Sequence, residues 1–371
     1  MAEEEFPTIV IDHGSLTCRF GFYGDDAPRV VPTVVGRDKS GENLKDFYVG
    51  EEAWSKRMEL RLKYPIENGV VCNWTDMEAI WHHIFYNELK VEPQKHNMLL
   101  TEPPMNPAAN RERMTEIMFE TFETPLFTVV SHPVLSLFNS GCTTGIVVDS
   151  GDGASHAVPI YEGFLLAHAA TGSYRLFAGR DVTEYLTQML AELGYSFTPH
   201  ERELVVDIKK KLCYIALDYD AEMAAATGSS DMEKIFTLPD GKIITLGDQR
   251  FRCPEVLFQP GLKDRDAPSF QDATFQSISK CDVEIQKDMY KNVVLSGGNT
   301  MFAGFSERMT KELTALAPPD TEVKVVTPCK DSAWRAGQSL AYPGLGQSKD
   351  WISKSEYWET GPTIVQKKCP V

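Results

Sequence analysis

Apolar and polar positions change period several times along the chain, and each change marks an element. Residues 8–12, "TIVID", form an apolar run that closes on an acid; Gly14 and Ser15 follow, and "TCRFGF" (17–22) resumes the strand-like pattern. This predicts a strand, a tight turn and a returning strand. The polar stretch "GRDKSGENLKDF" (36–47) reads as a surface loop. In "TDMEAIWHHIFYNEL" (75–89), Met77, Ile80, Trp81, Ile84 and Phe85 recur at helical spacing with Thr75 or Asp76 as cap, predicting a helix with one core face. His82 and His83 fall inside it, about 100° apart, and are expected to be partly buried rather than metal ligands.

The strand-like "NMLLTEPP" (97–104) precedes "NRERMTEIMFETF" (110–122), where Met114, Ile117, Met118 and Phe122 form a stripe. "LFTVVSH" (126–132) runs into "PVLSLFNSG" (133–141) with Pro133 in a first helical turn, so His132 sits on a strand-to-helix corner. At Gly145 the plan restarts. "GIVVDSGDGASHAVPIYEG" (145–163) is again strand, acid-glycine turn and strand, and "KNVVLSGGNTMFAGFSERMTKEL" (291–313) answers "NMLLTEPP" and its helix. The alternation predicts an α/β protein, and the restart predicts two related halves with a ligand cleft between them.

Composition narrows the classes. With 371 residues, 42% hydrophobic and 10% aromatic, the chain can bury two sizeable cores. A formal net charge of −16 opposes nucleic-acid binding, which needs clustered cations, and favours a protein partner with a basic face. Glu3, Glu4 and Glu5 form an acidic tip that is either solvated or meets such a face. Eight cysteines without C-x-x-C spacing suggest reduced thiols rather than zinc or a disulfide framework. The absence of a long apolar run, or of a basic region leading into one, predicts a cytoplasmic protein without a membrane segment.

The two turns carry the candidate chemistry. Each follows an apolar strand ending in an acid, Asp12 or Asp149, and each places glycines where backbone N–H groups can converge on phosphate oxygens. Carboxylates at such strand ends suit a hydrated Mg²⁺. A single D-x-G turn also closes ordinary hairpins, and no G-x-x-x-x-G-K-[ST] is present.

Several stretches resemble the actin family: "GDDAPR" (24–29), "KYPIENG" (63–69), "LLTEPPMNPAANRERMTEIMFETF" (99–122), "GIVVDSGDG" (145–153), "LPDGKIITLGDQRFRCPEVLFQP" (238–260), "LSGGNTMFAGFSERM" (295–309) and "WISKSEYWETGP" (351–362). The resemblance implies the two-lobed α/β ATPase fold shared by actin, Hsp70 and hexokinase, with a nucleotide cleft between the lobes. Residues 1–140 are then a small lobe, with 33–62 as its outer subdomain and 331–371 returning to it. Residues 141–330 are a large lobe, with about 178–262 as its outer subdomain. Those matches cover both halves and leave no inserted sugar-binding segment, which argues against a sugar kinase.

The same resemblance implies ATP or ADP with Mg²⁺. Asp12 and Asp149 would face the metal's waters, and Gly14, Ser15, Leu16, Arg19, Gly151, Asp152 and Gly153 would lie at the phosphates. Lys209, Lys210, Gly298, Met301, Phe302 and Lys330 would lie around the adenosine. Departures accompany the matches: Arg19 stands in place of a phosphate-binding Lys, Leu16 in place of Gly, Lys210 in place of a ribose-binding Glu, and Asp331 in place of an aromatic. Lys210 is a donor only and cannot accept from a ribose hydroxyl. His132 replaces the Gln that orients attacking water, between altered Ser131 and Pro133, whereas His156 matches the second water-organising residue. A neutral imidazole can take a proton from water, so His132 is either a substitute base or a packed, hydrogen-bonded ring.

Three further departures bear on partners. The loop around "DKSGENLKDF" is short and polar, "GLKDRDAPSF" (261–270) is charged, and "WRAGQSLAYPGLGQSKDW" (334–351) carries Pro343 and Gly344 where the family has helix. Apolar anchors supply most interface energy, so head-to-tail polymerisation is expected to be impaired; hydrolysis is expected to be slow or absent because His132 replaces the Gln. The expectation is a structural subunit in a multi-protein cytoskeletal assembly, of ciliary, axonemal or dynein-associated type. The alternative is a filament-forming ATPase with altered contacts.

Overall fold

The structure is a computed structural model that describes residues 6–39, 47–172, 176–263, 265–327, 331–341 and 349–369. The chain forms two compact units, one of Met1–Thr143, Ile160–Ala167 and Pro328–Val371, the other of Thr144–Pro159 and His168–Thr327.

In the first unit the strand Thr8–His13 lies inside a six-stranded sheet, parallel to Asn97–Glu102 on one side and antiparallel to Thr17–Phe22 on the other. Leu126–Ser131 runs parallel beyond Asn97–Glu102, and Arg29–Pro32 and Ile352–Ser353 close the two edges. The unbroken apolar run of Thr8–His13 is explained by cover on both faces. Ile9 and Ile11 join a core with Phe20, Trp81, Phe85 and Phe127, while Val10 packs on the other face with Leu99 and Trp334. The helix Ser332–Leu340 supplies that second cover. Trp334 Nε1 donates to Val10 O at 3.2 Å, and a Cβ on Gly337 would come within 2.8 Å of Val10 Cγ1, so only glycine permits this approach.

The second unit repeats the central order. Gly145–Ser150 lies parallel to Val293–Ser296, which is parallel to Val325–Val326; on its other side is Ser155–Tyr161, the strand that follows the turn. In both units the acid-ended strand therefore sits between a parallel neighbour and its own returning strand.

Several local expectations are corrected. The helix Trp74–His82 is capped two residues before Thr75 and three before Asp76, by Asn73, whose side chain accepts from Asp76 N at 3.0 Å. Asp76 is instead fully buried and bonded to Arg37. From His83 to Leu89 the backbone widens into a π-helix. His82 is exposed against the Tyr86 ring, because Trp81 and Ile84 occupy the core stripe, while half-buried His83 pairs with Glu88 at 3.3 Å. Gly36 to Asp38 of the expected loop belong instead to the strand Val35–Asp38, which pairs with Leu60–Lys63, and residues 40–46 of that stretch lie outside the described residues. Among the described residues no helix is long and apolar enough to cross a membrane.

Candidate functional site

The first turn is built by the register of its hairpin. Asp12 lies directly opposite Arg19 and His13 opposite Cys18, so Asp12 and Arg19 share one face of the sheet and His13 the other. Gly14 N donates to Thr17 O at 3.1 Å, and a Cβ on Gly14 would meet that oxygen at 2.6 Å, which fixes glycine here. Thr33 ties the turn's carbonyls down, its Oγ1 donating to Gly14 O at 2.8 Å and its N–H to Leu16 O at 2.9 Å. Among the described residues, the N–H groups of Ser15 and Leu16 donate to no backbone carbonyl. Carbonyls held and N–H groups offered make a nest suited to an anion.

His13 does not intrude on this turn. Its Nδ1 faces Thr101 O at 3.1 Å and its Nε2 accepts from Trp81 Nε1 at 2.7 Å. A carbonyl takes only a donor and an indole N–H needs an acceptor, so the ring is the neutral Nδ1–H tautomer. Burial pushes its pKa below 6.5. Thr101 Oγ1 completes the network, donating to Asp12 Oδ1 at 2.9 Å and accepting from His13 N at 3.0 Å.

In the second unit Gly151 N donates to Ala154 O at 2.9 Å, the same closure as Gly14 to Thr17. Its carbonyls are again tied away: Gly151 O accepts from Gly179 N and from Asn299 Nδ2, and Asp152 O from Arg180 N. The N–H groups of Asp152 and Gly153 donate to no backbone carbonyl among the described residues. The Asp152 carboxylate pairs with Arg202 at 3.1 Å, so it is a structural anchor for the turn and its backbone is the part that faces a ligand. Asp149 is buried at the strand end, 7% exposed.

The residues expected around adenosine fall into distinct environments. Lys209 is buried, its Nζ donating to Gly179 O at 2.8 Å, and burial lowers its pKa. Lys210, the next residue on the helix Arg202–Leu212, is exposed. Gly298 and Met301 are exposed on the 3₁₀ turn Gly298–Met301, where a Cβ on Gly298 would meet nothing within 4 Å, while Phe302 is buried. Lys330 lies outside the described residues, as do Pro343 and Gly344. A cavity of about 320 Å³ lined by Leu193, Met232, Thr245 and Gln249 contains none of these residues.

His132 opens the helix His132–Asn139, with its Nδ1 against Glu102 O at 3.1 Å. The carbonyl accepts only, so an N–H stands at Nδ1. Glu102 lies behind it, buried against Arg111 at 3.0 Å; burial raises its pKa and the guanidinium opposes that shift. Ser131 Oγ is buried with no hydrogen-bond partner among the described residues, a position that an ordered water would satisfy. His156 is 2% exposed on the strand Ser155–Tyr161. No group of three or more His, Cys, Asp or Glu among the described residues is placed to hold a metal. Asp12 and Asp149 each offer a carboxylate singly, the donor set that a Mg²⁺ retaining its waters takes.

Sequence reasoning missed one partner of this site. Arg19 Nε donates to Asp331 Oδ1 at 2.6 Å, while its Nη1 is 3.9 Å from Asp12 Oδ2. With 312 positions between them, no local pattern signals the pair. A family model described as actin matches residues 3–370, nearly the whole chain. The chain belongs to the actin family.

Proposed function

We propose that this protein binds ATP or ADP with Mg²⁺ and serves as a structural subunit of a larger cytoskeletal assembly, with impaired self-polymerisation and slow or absent hydrolysis. The observation that carries the nucleotide reading is the pair of turns, Gly14–Thr17 and Gly151–Ala154, closed by the same bond with their carbonyls tied away. Ser15, Leu16, Asp152 and Gly153 would offer N–H groups to phosphate oxygens, the N–H groups of Gly14 and Gly151 being spent on closing the turns, and Asp12 and Asp149 would hold waters of the metal. A Mg²⁺ bound there would neutralise phosphate charge.

On the hydrolysis side, a neutral imidazole at His132 would accept a proton but carries no amide group, so it would not orient water as a Gln amide does. The weak-ATPase reading rests on this residue and on His156. The assembly reading is supported by the segment 261–270. Lys263 pairs with Glu184 at 3.3 Å, and Arg265 pairs with Asp181 at 3.2 Å and lies over the Phe177 ring. A loop so charged and so pinned to its own unit makes a poor apolar plug for a neighbouring subunit, because its charges would have to be desolvated. The partners are proteins, not nucleic acid or a membrane, in the cytoplasm and, on this reading, in a ciliary or dynein-associated complex.

The test is the purified protein in Mg-ATP and salt, examined by sedimentation and by phosphate release. Bound nucleotide with no pelletable polymer and background phosphate release is expected. Polymer with stimulated phosphate release would replace this reading with that of a filament-forming ATPase.

A further inference from the structure

Arg19 and Asp331 both depart from what the family resemblance leads one to expect, and the structure joins them. Arg19 stands across from Asp12 on the hairpin whose turn offers the Ser15 and Leu16 N–H groups, so its guanidinium lies on the face of the sheet that carries the acid. Its side chain is 29% exposed and that of Asp331 is 10% exposed. Asp331 sits at the head of the helix Ser332–Leu340, which packs on the same face through Trp334 and Gly337. The Asp331 carboxylate is committed to Arg19. At the N-cap position an Asp normally accepts from the helix's own N–H groups, yet its side chain makes no cap bond and goes to Arg19 Nε instead. Its backbone lies in the left-handed region, at φ 63°, which Asp and Asn enter more readily than other non-glycine residues.

We infer that Asp331 is an internal anion occupying the guanidinium that would otherwise take a nucleotide phosphate, so that it lowers affinity for phosphorylated ligands and sets how strongly the site distinguishes them from the bare nucleoside. This rests on the nucleotide reading above. A carboxylate and a phosphate oxygen compete for one forked cation, and a phosphate reaching Arg19 must displace the carboxylate or share it. The base and ribose feel no such competition. Asp331 is thus a positioning residue, acting through Arg19.

The experiment titrates Mg-ATP, Mg-ADP and adenosine into the nucleotide-depleted full-length protein, as wild type, Asp331→Asn, Arg19→Met and the double variant. Asn tolerates the left-handed backbone, so Asp331→Asn keeps the local fold. The expected result is that Asp331→Asn tightens Mg-ATP and Mg-ADP by about tenfold or more, the scale of one charge-assisted hydrogen bond released. Adenosine affinity stays unchanged, and in the Arg19→Met background the gain from Asp331→Asn largely disappears. Nucleotide binding that is equal in wild type and Asp331→Asn would overturn the inference while leaving the nucleotide site standing, as would an equal gain for adenosine or a full gain without Arg19. Failure of all three ligands to bind any of the four proteins would overturn the nucleotide reading itself.

Discussion

Replacing His13 by Leu tests whether the network behind the first turn is read correctly. Leucine fills similar space but can neither accept from Trp81 Nε1–H nor donate to Thr101 O, contacts of 2.7 and 3.1 Å in the wild type. Each group left buried and unpaired costs about 1–3 kcal/mol, so His13→Leu is expected to destabilise by roughly 2–6 kcal/mol, a large part of the ~5–15 kcal/mol typical of folded proteins. Urea unfolding followed by tryptophan fluorescence reads this, with Trp81 itself as one reporter. The same residue sets a pH dependence. Because the folded pKa lies below the unfolded value of 6.5, the unfolded chain binds the extra proton first. Stability from this group is therefore complete above 6.5 and falls as the pH drops below it, by up to about 1.4 kcal/mol per pH unit until the folded pKa is reached. His13→Leu should remove that slope. A variant within about 0.5 kcal/mol of wild type with the acid slope intact would refute both the bonds and the tautomer.

Three other outcomes follow from the geometry. Arg308→Met strands Glu255, which is fully buried 2.9 Å from the guanidinium; it is expected to cost about 3–5 kcal/mol in unfolding experiments, with Glu255→Gln added to it restoring part of the loss. Arg111 bonds both the Glu102 carboxylate and Cys369 O, so Arg111→Met should loosen the C-terminal helix Ile364–Lys368 and speed thiol modification of buried Cys369 by about tenfold or more, read by mass spectrometry; an unchanged rate would show that Arg111 does not hold the tail. Gly14→Ala drives a methyl against Thr17 O and should abolish measurable binding of Mg-ADP in equilibrium dialysis, whereas retained affinity would remove the first turn from the phosphate site.

Local periodicity carried much of the fold. Ile9, Val10 and Ile11 were legible as a strand, and Met77, Ile80, Trp81, Ile84 and Phe85 as a core stripe, and all of these are buried. The change from α- to π-helix at His83 was not legible, since the apolar spacing of this stretch reads as helix without distinguishing the two forms. The Asn73 cap was missed because Thr75 and Asp76, two and three residues on, satisfy the same residue preference. At the site, the sequence pointed to the two glycine turns from strand, acid and glycine alone. It could not show that His13 faces away from the turn into a bond with Trp81, or that Arg19 is engaged by Asp331. Those contacts are decided by the pairing register and by a helix that returns from the far end of the chain.

The central claim is that the glycine turns hold the phosphates of an adenine nucleotide. Its most direct test is to purify the protein from its native source with EDTA omitted, denature it in acid and identify the released nucleotide by chromatography. The account predicts stoichiometric ADP or ATP, lost from Gly14→Ala protein prepared in the same way. Protein that is folded yet nucleotide-free, and that gains no thermal stability from added Mg-ATP, would contradict it.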